Sequence, residues 1–171
     1  MVKNTSDTTK QAWEFFCKDL AKVSSALDAY EKIMSKIEIR DHAYDPFFQL
    51  VLDGFSARIL MSLSRMVDAQ SRSWSLYDLT IEKAEVYKIR TDIEELKKIR
   101  DKQIAHLEKG FKKPNHFIVL TPKGIKIARR AVLRIHKMLS DLGRRKYGGD
   151  VYALEWGNLE SSLQLLLEKL D

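Results

Sequence analysis

Apolar side chains recur every three or four positions through nearly all of this chain, and only Phe117–Leu120 reads as a strand, with no second strand to pair it. That spacing puts the apolar residues on one face of a helix, and such a face must be buried against other helices. Seven glycines and three prolines in 171 residues leave few of the turns that sandwiches and barrels need. The expected fold is therefore all-α: an antiparallel bundle of four core helices plus one or two additional ones, forming a single domain over residues 1–171.

The first helix is expected from about Thr8 to about Ile37, with Trp13, Phe16, Leu20, Val23, Leu27, Tyr30 and Ile33 on one side. Asp45-Pro46 opens a second, an acidic cap followed by proline at the first helical position, running to about Ala69. It is apolar on most sides, which predicts a central position. Ser75-Leu76-Tyr77-Asp78 resembles the capped start of a shorter helix. Thr91-Asp92-Ile93-Glu94 reads as a capping box for a helix ending at Gly110. Thr121-Pro122 opens another that ends near Gly143, followed by a basic loop, Arg144–Gly149. Asn158 caps a last helix, Leu159–Leu170, so the basic and C-terminal helices of about 121–171 complete or flank the bundle.

Charge is unevenly placed. The chain totals +6, yet residues 111–149 hold eleven Lys and Arg against one acid, Asp141. That segment is +10 and the remainder −4. Arg129, Arg130 and Arg134 are its candidate RNA-binding residues, with a solvated helix face as the alternative. The single cysteine, Cys17, excludes an intramolecular disulfide and a cysteine zinc site, and its helical setting predicts a buried thiol. His42 and His116 lack metal-ligand spacing, so no metal or cofactor is expected. The N-terminus lacks a signal-like apolar stretch and no run is long enough to span a membrane, so a cytoplasmic location with no membrane partner is expected. Trp74, Tyr147 and Trp156 could stack on bases, though anchoring in the core or loops is the simpler role.

The chemically informative segment is Arg100-Asp101-Lys102-Gln103-Ile104-Ala105-His106. On a helix, Ile93, Leu96, Gln103, Ile104 and Leu107 share one stripe, with Arg100 in its middle and His106 at its edge. A guanidinium there is costly unless it is paired or lines a polar cleft or interface. Arg100 and His106 point about 120° apart on an ideal helix, so a shared site needs a bend, long side chains or a second copy across a twofold axis. A histidine titrating near neutral pH moves the protons of RNA cleavage, and an arginine holds the phosphate. The bare spacing is not specific, since Arg130 and His136 repeat it.

The string Arg100-Asp101-Lys102-x-x-Ala105-His106, followed by Leu107-Glu108, resembles the HEPN superfamily signature of arginine and histidine four to six residues apart, and within it the abortive-infection U-type branch. The preceding Leu60–Asp68 stretch, its polar loop and Ser75-Leu76 fit as well, so the resemblance spans roughly residues 47–110. It implies an all-α bundle, frequent homodimers and metal-independent endoribonuclease activity, in a toxin or antiphage effector with a possible antitoxin partner. The family's arginine falls on Arg100, its histidine on His106 and its intervening polar residue on Asp101. Other members are noncatalytic RNA-binding or scaffolding modules, which stands as the alternative. Lys102 is a candidate phosphate contact. Arg65 and Asp68, one turn apart, could pair with each other or orient Arg100. Asp53 is a candidate partner for Arg58 or Arg100.

Overall fold

The computed structural model describes the backbone of residues 5–40, 46–69, 74–79, 82–108 and 120–149, and within these the side chains of 7–35, 47, 50–69, 74–79, 82–98 and 120–149. These residues form four long helices and no strand: α1 Thr5–Arg40, α2 Pro46–Met66, α3 Lys83–Glu108 and α4 Pro122–Lys146. The expected Phe117–Leu120 strand, except for Leu120, and the expected Leu159–Leu170 helix lie outside the described residues.

The caps at three of these boundaries follow from residue chemistry. Pro46 opens α2, where its missing N–H costs nothing. Thr121 Oγ1 accepts from the Gly124 N–H at 3.1 Å, ahead of Pro122, and starts α4. The Ser75 N–H donates to Asp78 Oδ2 at 2.7 Å, a side-chain-to-backbone closure that here holds only a 3-10 turn, Leu76–Asp78, rather than the short helix expected.

Thr91 does not start a helix. It sits inside α3, which begins at Lys83, and its hydroxyl donates to the Tyr87 carbonyl one turn back at 3.0 Å. Val86 and Ile89 are buried and extend the apolar stripe upstream, so packing carries the helix through the polar Thr91-Asp92 pair. Nor is Arg144–Lys146 a loop. Those residues form the last turn of α4, where three cations face the negative end of the helix. The chain leaves the helix at Gly148, whose φ of +66° favours glycine.

Contacts between neighbours set the topology. Trp13 Nε1 donates to the Leu139 carbonyl at 2.9 Å and Tyr30 Oη to the Leu120 carbonyl at 3.0 Å, so α1 and α4 run antiparallel. Arg58 reaches Asp19 while Arg65 lies over Phe15, so α1 and α2 are antiparallel. Lys123 pairs with Glu95 and Arg134 with Asp92, so α3 and α4 are antiparallel. α2 and α3 are in contact too, which closes an up-down-up-down ring in chain order. Phe16, Leu27, Tyr30, Ile59, Leu63, Ile89, Ile93 and Ile135 fill its centre. α2 is therefore one corner of the bundle, not its central helix, and Phe47, Leu50 and Met61 remain exposed on its outer side. Cys17 is buried in the core.

Candidate functional site

α3 runs unbroken from Lys83 to Glu108 and so carries Arg100, Asp101, Lys102 and His106 on its last turns. The side chains of these four lie outside the described residues, as do His42, His116 and Trp156. The described part of α3 fixes the register that leads into them. Val86, Ile89, Ile93 and Leu96 are its buried positions, at steps of three and four, and the next step of four falls on position 100.

Arg65, expected to support that segment, meets a different residue. Asp19, on α1, is buried, and both of its carboxylate oxygens are taken: Oδ1 by Arg58 at 2.5 Å and Oδ2 by Arg65 at 2.6 Å. Arg65 therefore pairs across the α1–α2 interface rather than with Asp68, and Arg58 pairs with Asp19 rather than with Asp53. The Arg65 guanidinium also lies 4.8 Å from the centre of the Phe15 ring, which meets Trp74 edge-on at 5.8 Å. Trp74, between α2 and α3, and Tyr147, 5.2 Å from Trp13 at the end of α4, are thus half-buried anchors against the bundle. The sequence held a sign of Asp19: it is an acid set among Phe16, Leu20 and Val23, while Arg58 and Arg65 stand two turns apart on one face of α2.

Of the three candidate RNA-binding arginines, two are engaged in ion pairs with neighbouring helices. Arg129 binds Asp28 and Glu31 of α1, with the Asp28 contact at 2.7 Å. Partial burial works against its charge, but the hydrogen bonds and charges of these two acids outweigh that and hold its pKa above the ordinary arginine value. Arg134 binds Asp92 of α3. Arg130 is exposed on the outer face of α4. Beside this face, α3 and α4 enclose a groove of about 690 Å³ lined by Glu82, Glu85, Arg134, Lys137, Met138 and Arg145. The Lys88 ammonium, hydrogen-bonded to Glu85, holds that carboxylate below the usual glutamate pKa, so both signs of charge persist there at neutral pH. Among the described residues no group of three or more His, Cys, Asp or Glu could hold a metal ion, and no helix is long and apolar enough to cross a membrane.

Among the described residues these features define an all-helical arrangement of four long helices, the fourth of them strongly basic. Neither protein-family models, nor curated proteins, nor solved structures match the chain.

Proposed function

We propose that this chain is a metal-independent endoribonuclease of HEPN type, acting as a toxin or antiphage effector. In this reading two copies form a homodimer, and the ends of two α3 helices meet at one cleft. Arg100 holds the scissile phosphate and the charge that develops on it. His106 moves the proton of the ribose 2′-hydroxyl or of the departing oxygen. The 2′-oxygen attacks phosphorus as the P–O5′ bond breaks, and that 5′-oxygen takes up a proton. Asp101 and Lys102 orient the arginine and the phosphate, Arg65 and Asp68 buttress the neighbouring helix, and an antitoxin protein restrains the activity in the cell.

One observation carries the proposal. The buried stripe Val86, Ile89, Ile93, Leu96 reaches position 100 at its next step, in an unbroken helix, and the chain has arginine there. A bundle core asks for an aliphatic residue at such a step, and departures from the pattern mark functional sites. The all-helical bundle supports the same reading. The test is incubation of purified protein with single-stranded and structured RNA in EDTA. Wild type should cleave, and His106→Ala and Arg100→Ala should each slow cleavage by a hundredfold or more, on the order of what general acid–base groups contribute. Identical products at identical rates from wild type and His106→Ala would sink the catalytic reading and leave a noncatalytic binding module.

A further inference from the structure

We propose that the outer face of α4, through Lys126, Arg130 and Lys137, is the track on which the sugar–phosphate backbone of RNA lies. This rests on the reading that the chain acts on RNA, and it places the substrate away from the cleaving residues.

Charges that look alike in the sequence are sorted by the packing of the bundle. Four cations of α4 are committed within the protein: Lys123 to Glu95, Arg129 to Asp28 and Glu31, Arg134 to Asp92 and Arg144 to Asp141. Lys126, Arg130 and Lys137 are exposed and form no ion pair with any described residue. At about 100° per residue, all three lie within about 40° of one another, over roughly 16 Å of helix. They point away from the buried face made by Ala128, Ala131, Ile135, Leu139 and Leu142. The committed cations serve the same surface indirectly. Asp28, Glu31, Asp92 and Glu95 flank the ridge on α1 and α3 and would repel phosphate, and each is neutralised by an α4 side chain. The bundle therefore neutralises four of the carboxylates beside the ridge, with Glu85 paired to Lys88 on the groove side of Lys137, and leaves Lys126, Arg130 and Lys137 in a row to face a polyanion. The exposed Leu133, between Arg130 and Lys137 in the sequence, has no polar atom with which to read a base edge.

The test uses the full chain carrying His106→Ala, binding of fluorescein-labelled oligo(U) by anisotropy, and salt varied between about 50 and 200 mM. Lys126→Gln/Arg130→Gln/Lys137→Gln should weaken binding by about tenfold or more at the low-salt end. It should also reduce the slope of log K against log salt by about 2, since each phosphate contact to a single strand contributes about 0.7. Its melting temperature should stay at the parent value. Arg129→Gln, which bares Asp28 and Glu31 beside the ridge, should lower the melting temperature and weaken binding by less than the triple substitution does. With His106 restored, the triple substitution should raise KM and spare kcat. Unchanged affinity and slope in the triple variant, with cleavage intact, overturns the ridge and leaves the endoribonuclease reading standing. An intact RNA affinity with loss of polyglutamate binding also overturns it, giving the face to an acidic protein. A parent that neither binds oligo(U) nor cleaves RNA overturns both.

Discussion

Gly143 sits in the last stretch of α4, where alanine would ordinarily be the better helix former by about 1 kcal/mol. The structure reverses that sign. A methyl group at Gly143 would lie 2.6 Å from Cζ2 of Trp13 and 2.5 Å from the Gly149 carbonyl oxygen, well inside contact distance. Neither neighbour moves cheaply. The Trp13 indole is buried, donates to the Leu139 carbonyl at 2.9 Å and packs on Tyr147, and the Gly149 oxygen is backbone. Overpacking of this kind costs about 1–3 kcal/mol, and a displaced indole forfeits a hydrogen bond of about 1 kcal/mol. Set against the helix-propensity gain, Gly143→Ala should lose about 1–3 kcal/mol, which lowers the melting temperature of a chain this size by roughly 2–12 °C. Gly54 provides the opposite case. It lies inside α2, is exposed, and a methyl there meets nothing within 4 Å. Gly54→Ala should therefore stabilise by up to about 1 kcal/mol. Thermal and urea unfolding followed by circular dichroism measure both. A Gly143→Ala protein as stable as wild type would refute the seating of Trp13 on α4, and with it the argument that this glycine is there to admit an indole.

Two further predictions concern buried polar groups. Arg58→Ala and Arg65→Ala should each cost about 1 kcal/mol or less, because both guanidiniums are partly exposed and one partner still holds Asp19. The double variant should cost about 3–5 kcal/mol, more than the sum, since the carboxylate is then buried alone, and additive losses in a double-mutant cycle would contradict the shared site. Burial raises the pKa of Tyr30, whose hydroxyl donates to the Leu120 carbonyl. The folded state thus holds this proton more tightly, so the contribution is complete below about pH 10 and is lost as pH climbs through the folded-state value. Tyr30→Phe should cost about 1 kcal/mol at neutral pH and flatten the alkaline limb of the stability profile. An unchanged alkaline limb would assign that loss to other groups.

Helix-forming stretches could be read from the spacing of apolar residues, the Thr121 cap starts α4 as predicted, and α2 opens at Pro46. Where the structure departs from these local signals, packing is the cause. Thr91-Asp92-Ile93-Glu94 has the composition of a helix start, but a threonine hydroxyl is equally satisfied by a carbonyl one turn back, and the buried Val86 and Ile89 decided between the two. Gly143 has the composition of a helix end, yet it is a contact point for Trp13. The apolar surround of α2 suggested a central helix, but in a four-membered ring no helix is central, and the excess apolar residues face outward.

For the candidate site, the sequence by itself determined the one-dimensional facts: a helical periodicity, Arg100 and His106 six residues apart, and a +10 segment over residues 111–149. These are local, because periodicity, capping and charge belong to neighbours along the chain. Which cations are spent was decided only by the tertiary structure. Arg129 and Arg130 are adjacent in sequence and chemically alike, but about 100° of helical turn sends one to Asp28 and Glu31 and leaves the other facing outward. Asp19 acquires its two arginines in the same way, from residues 39 and 46 positions away. An ion pair is set by distance in space, and that distance exists only once the helices are packed.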